Sequence, residues 1–334
     1  MFKIARFAAA AAMSAAAAQA APAAHYAVAG SIAGPDGGWD YASVDPAART
    51  LYIARSENVT AIDLTNNKVR SFGAISRGHA VVPIGRNMLL VTSGRDNMAR
   101  LIKPADGSQT ASLAVGQNPD AAFYDAATRR AYVINARSGT VSVVDPAKAK
   151  VDATITLKPA LEFGLAAGGT LYVNNEEANE IETIDLATGK AGAAIAMPGC
   201  DGPSGLGYDS RTGRLISACA NGKAAVVDAR QRRLVALLDI GKGPDAVIVD
   251  AARRRVFIPC GRDGVLEVID PDAAGGPRVI EHVRTETGAR TGALDPASGT
   301  LYLPTARFTP PTAPNTRPAA VPGSFHVLVV ARRP

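Results

Sequence analysis

A unit of about 40 residues recurs seven times along this chain, and no other feature limits its fold so tightly. Residues Asp120 to Pro159 carry the clearest copy, with four runs of alternating apolar and polar residues separated by turn chemistry. Runs of that length and period read as half-buried strands. Four strands per period of roughly 40 residues describe a β-propeller. The expected fold is therefore all-β, a seven-bladed β-propeller with four antiparallel strands per blade. Because each repeat leans on its neighbours, one domain can span residues 25–332.

The second strand of each copy begins at Leu51, Leu89, Ala131, Leu171, Leu215, Val256 and Leu301. Innermost strands precede them at Tyr41–Asp45, Ala80–Ile84, Ala121–Asp125, Phe163–Ala167, Gly205–Asp209, Ala246–Asp250 and Thr291–Asp295. The last third strand, Phe325–Val330, leaves the seventh blade without an outer strand. Residues His25 to Gly34 resemble outer strands elsewhere, such as Leu234 to Gly241. They are predicted to pair with the last blade and close the ring, which removes an exposed sheet edge.

Residues 1–20 read as a signal peptide: Lys3 and Arg6, an Ala-rich apolar core from Phe7 to Ala17, then Ala18-Gln19-Ala20. The apolar core is too short for a membrane span, so a periplasmic or secreted monomer is expected. Loss of this segment removes two of the six net positive charges. The remaining basic residues are scattered, as at Arg129-Arg130, Arg232-Arg233 and Arg253-Arg254-Arg255, with no stripe or interleaved aromatics. Nucleic-acid binding, which needs such a footprint, is the weakest of the three functions considered.

Tyr132-Val133-Ile134-Asn135 followed by Thr140 to Asp145, and Tyr172-Val173-Asn174-Asn175 with Ile184-Asp185, resemble the YVTN-type β-propeller repeat family. The endings Ala114 to Pro119 and Asp239 to Pro244 fit the same pattern, while Lys103-Pro104 departs from it in the second copy. The resemblance implies a secreted propeller and names no reaction.

In a propeller two sets of loops share one pole. The first set is expected to bring Trp39, Asp40, His79, Asp120, Glu162, Ser204, Asp245 and Arg290 to the axis. The second surrounds them with residues that include Arg55, Arg95, Asn97, Asn135, Arg137 and Asn175. This predicts a pocket for a small polar or metal-bearing ligand, or a docking pole for a protein partner. Asp120, Glu162 and Asp245 are hard oxygen donors suited to a divalent cation such as Ca²⁺. Two plainer readings compete: each acid can accept backbone N–H bonds and hold its loop, or arginines such as Arg290, Arg55 or Arg95 can neutralise the ring. The lone Trp39 can stack on a ligand or pack in the core. Residues 306–323 form a Pro-rich insertion on the same pole, read as a stiff stretch that cannot join a sheet ladder.

Cys200 and Cys219 fall in adjoining strands at the entrance of the fifth copy, which predicts a disulfide, with Cys260 free. The sequence has no C-x-x-C-H, H-E-x-x-H, G-x-S-x-G or P-loop motif. Binding or scaffolding is therefore the leading function. The alternative is a metal-assisted hydrolase, similar to propeller lactonases, in which axial carboxylates hold the ion and His79 shuttles a proton.

Overall fold

A computed structural model describes residues 25–85, 87–310 and 318–333; the signal-peptide reading of residues 1–20 lies outside them. Seven antiparallel sheets follow one another along the chain. Blade 3 shows the pattern, with Pro119–Asp125 innermost, then Arg130–Asn135, Thr140–Asp145 and Lys150–Thr156. Blade 4 differs in that its outer strand is broken into two short pieces, Lys190–Ala191 and Ile195–Ala196, both paired to Glu180–Asp185.

The second strands are the most apolar and the most buried. Leu51, Ile53, Leu90, Val133, Ile134, Leu171, Val173, Ile216, Val256 and Leu301 are all fully buried. Their side chains fill the gaps between blades: Ile134, Val141, Leu161, Leu171 and Val173 form one cluster across blades 3 and 4. Burying a side chain of this size contributes about 2 kcal/mol, so the ring is held from blade to blade.

At the pole away from the ring of acids, aspartates close the turns. Asp45, Asp125, Asp145, Asp228 and Asp295 each accept backbone N–H bonds from residues two or three positions on. This local bonding stops a strand and starts a turn.

The ring closes as the sequence predicts. His25–Ala33 pairs with His326–Arg333, in the sheet completed by Thr300–Thr305 and Ala293–Asp295. Tyr26 is buried against Phe257 of blade 6, ring centroids 4.9 Å apart. At the turn pole, Arg49 of blade 1 reaches both carboxylate oxygens of the fully buried Asp295 in blade 7 at 2.8 Å. Cys200 and Cys219 are joined by a disulfide, and Cys260 is free and buried.

The insertion departs from its sequence reading. Its base forms a short antiparallel ladder, in which Thr309 N–H donates to Ala319 O and Val321 N–H to Arg307 O, with a bridge between Phe308 and Ala320. The prolines do not block this pairing because the donors come from Thr309 and Val321. Its centre, residues 311–317, lies outside the described residues.

Candidate functional site

The ring positions share one backbone peculiarity. In blades 1, 3, 4 and 5, pairing between innermost and second strand is interrupted between Trp39 and Ala42, Pro119 and Ala121, Leu161 and Gly164, and Pro203 and Leu206. Asp40, Asp120, Glu162 and Ser204 all fall in these gaps. In blades 2, 6 and 7 the innermost strand starts only at Val81, Ile248 and Ala293, after His79, Asp245 and Arg290. An interruption of this kind releases a residue from the in–out alternation and re-aims its side chain.

Six of these side chains form one electrostatic group. His79 Nδ1 lies 2.7 Å from Asp40 Oδ2 and 3.4 Å from Asp120 Oδ1. Since an ionised carboxylate only accepts, Nδ1 carries the proton of the shorter bond. Arg290 Nε donates to Asp245 Oδ2 at 2.6 Å, and its Nη2 stands 4.0 Å from Asp40 Oδ1. Glu162 is the ring acid that no cation reaches at ion-pair distance among the described residues. Unlike the aspartates of the turns, Asp40, Asp120 and Asp245 spend their carboxylates on side chains: His79, Asn118 and Arg290. Of the two plainer readings, a charge network describes the geometry, and loop bracing does not.

Acids outnumber bases in this group, and the titrations shift accordingly. Burial, and then the charges of Asp120, Glu176, Asp245 and Asp40, push Glu162 up to about 9. Burial and Asp40 push Asp245 to about 7 against the pull of Arg290. Burial also raises Asp120, with His79 and Arg77 opposing. For His79 burial is the largest influence and favours the neutral ring, but the Asp40 hydrogen bond and the charges of Asp120 and Asp40 together raise its pKa.

Tyr41, which sequence reasoning placed only at a strand start, sits under this group. It is 7 % exposed, its hydroxyl donates to Asp245 O at 3.2 Å, and it packs on Phe163 with centroids 5.1 Å apart. Burial raises its pKa well above the ordinary phenol value, and Asp245, Glu162, Asp40 and Asp120 all add to the rise. All four acids thus act on the phenol electrostatically. The signal was present in the sequence: Tyr41 is the first residue after a ring acid on an otherwise small-residue strand. Below it a channel of about 270 Å³ is lined by residues such as Ser43, Val81, Phe123 and Val247.

Other predicted residues lie elsewhere. Asn135 is fully buried within its blade, donating to Thr140 and Ser142 hydroxyls at 3.1 and 3.0 Å. Asn175 is buried too, donating to Pro159 O and accepting from Ala178 N–H. Both end second strands, where the side chain turns back to close the next turn. The Ser204 hydroxyl is committed to the carbonyls of Ala218 and Pro244. Trp39 packs against Phe325 and Phe308, centroids 5.2 and 6.3 Å away. Arg55 is buried beneath the preceding loop, donating to the carbonyls of Pro35, Gly37 and Gly38, so it neutralises no ring acid. Nor do Asp120, Glu162 and Asp245 assemble as a metal-ligand set: among the described residues no three His, Cys, Asp or Glu side chains gather closely enough to hold an ion. Asp245 is drawn to Arg290, and Asp120 faces His79 and Asn118.

No family model matches the sequence, and no curated protein matches it; the YVTN resemblance therefore rests on the quoted residues alone. Solved structures do match in shape. A chain of the Kuenenia stuttgartiensis hydrazine synthase superposes with a TM-score of 0.67 at 15% identity, covering 80% of this chain and 92% of that one. A chain in the crystal structure of a mitotic checkpoint complex gives 0.73 at 12% identity, covering 87% and 93%. Likeness at this identity shows the propeller fold, which hosts many unrelated functions. Among the described residues no helix is long and apolar enough to cross a membrane.

Proposed function

We propose that this chain is an exported, monomeric binding propeller whose funnel pole takes a small organic cation such as an amine or guanidinium. One observation carries the reading: four half-buried acids share one electrostatic neighbourhood with Tyr41, among the described residues only Arg290 and His79 pair with any of them, and Glu162 is left without a cation at ion-pair distance. Carboxylates forced toward neutrality by one another are restored to their charged form by an incoming positive charge. Tyr41 and Phe163 supply an aromatic floor, which suits alkylammonium and guanidinium groups. The Cys200–Cys219 bond supports export, since such bonds persist in oxidising compartments.

The hydrolase alternative needs several protein ligands on one ion plus an open position for water. The ring acids are divided among separate partners, and His79 Nδ1 is held by Asp40 and Asp120, so we do not favour it.

Titration calorimetry with a panel of diamines, guanidines and Ca²⁺, run in buffers of different ionisation enthalpy, tests the proposal. Binding of an organic cation with proton release, stronger at about pH 8 than at about pH 6, is expected because Glu162 and Asp245 must ionise. Absence of binding by every amine and guanidine at millimolar concentration refutes it. Binding of Ca²⁺ alone returns the metal reading.

A further inference from the structure

A second feature of the same pole lies outside the acid ring. Between blades 2 and 3 a cleft of about 250 Å³ is lined by Arg77, Arg95 and Arg137 together with Asn97, Gln117, Asn118 and Gly94. Three separate loops supply the arginines: the one entering the innermost strand of blade 2, the Ser93–Met98 turn, and the turn after Asn135. None of the three guanidinium groups forms an ion pair among the described residues, and the nearest acid in the sequence, Asp96, is taken by Arg100. Two other arginines of this pole are committed: Arg55 to loop carbonyls and Arg290 to Asp245. Three like charges around one cleft repel one another unless an anion joins them.

A second observation points to a ligand. Asn118 is fixed in place, its backbone N–H donating to Asn97 Oδ1 at 2.9 Å and its Nδ2 to Asp120 Oδ1 at 3.3 Å. That orientation leaves Asn118 Oδ1, a buried acceptor, with no donor. A buried acceptor left unpaired costs about 1–3 kcal/mol, which marks this wall of the cleft as one whose polar groups are incompletely satisfied.

We propose that this cleft is an oxyanion site for the phosphate class, either inorganic phosphate or a phosphate monoester. Guanidinium forks bind oxyanions in pairs of parallel hydrogen bonds. A carboxylate offers two oxygens and one negative charge, whereas a phosphate presents three or four oxygens and up to two charges, the better match for three guanidiniums. The cleft borders the acid ring, since Asn118 and Arg77 both act on Asp120, but its arginines and its anion are distinct from the acids and the cation proposed for the ring.

Inorganic phosphate, phenyl phosphate and acetate are titrated separately into the protein spanning residues 25–334, read by calorimetry and by ³¹P line broadening. Arg95→Gln and Arg137→Gln are compared with wild type and with Arg278→Gln, an exposed outer-strand control in blade 6. The proposal expects saturable binding of phosphate, the ester or both, and no binding of acetate. It expects about a tenfold loss for each cleft variant and none for the control. Phenyl phosphate binding without inorganic phosphate assigns the site to an ester; the reverse assigns it to the free ion. No saturable phosphate signal, equal binding by acetate, or binding that both cleft variants leave unchanged overturns it. So does tight binding of a single-stranded oligonucleotide when neither small phosphate binds, which would make the cleft a reader of nucleic-acid backbone.

Discussion

Replacing Glu162 with Gln tests the electrostatics of the ring most directly. Gln keeps the shape and cannot ionise. In the folded protein Glu162 holds its proton up to about pH 9, whereas the unfolded chain releases it near the ordinary value of 4.5. Between those two values the folded state carries the extra proton, so wild-type stability falls as pH rises through that window. Each pH unit costs about 1.4 kcal/mol, which sets a ceiling of about 5 kcal/mol by pH 8. The funnel is open to water and Glu162 is only half-buried, so screening reduces this to about 2 kcal/mol. For a domain of this size that corresponds to about 4 °C in Tm. Calorimetric scans of both proteins across the pH range are the assay. The variant should match wild type near pH 4, gain steadily above it and level off past pH 9. A gap that does not change with pH, or a Gln variant less stable at pH 8, would refute the reasoning.

Arg290→Met removes the cation that holds Asp245 down; NMR titration of the Asp245 carboxyl should then give a pKa above 7, and an unchanged value would show that Arg290 does not set it. Reduction of the Cys200–Cys219 bond, which closes a loop of 19 residues in sequence, should lower stability by about 3 kcal/mol in urea melts; equal midpoints with and without reductant would contradict this. Tyr26→Ala should cost about 3–4 kcal/mol, because the ring is buried against Phe257 where the first strand meets blade 6. Gly94→Ala places a Cβ 2.9 Å from the His79 ring; the imidazole must shift, and its ¹⁵N resonances should report a weakened bond to Asp40.

The architecture could be read from the chain because it is periodic. Leu51, Leu89, Leu171 and their equivalents mark the same buried strand seven times, and the incomplete last copy identifies His25–Ala33 as its missing partner. Asp40, His79, Asp120, Glu162, Asp245 and Arg290 were also legible, since each occupies the same register of its repeat. What register cannot reveal is direction. Asn135 and Asn175 stand at equivalent places, yet both turn into their own blades because nearby hydroxyls and carbonyls compete for their amides. Arg55 was named as a neutralising cation but is drawn under Gly37 and Gly38 by three carbonyls and lies 3.9 Å from the centre of the Phe325 ring. The metal reading counted carboxylates without their partners, and those partners are set by distances between blades that a repeat pattern does not contain.

The pairing of His25–Ala33 with His326–Arg333 means that the first and last described strands meet inside a single sheet. A nascent or threaded polypeptide has to keep His25–Ala33 unpaired until His326–Arg333 emerges, and only then can the circle snap shut. Loop-closure entropy at that separation grows slowly with length, so the delay is kinetic more than energetic. A permuted gene that joined Arg333 to His25 through a short linker and opened the chain at a turn such as Ala273–Gly276 should therefore fold to the same circle with its clasp moved to another blade.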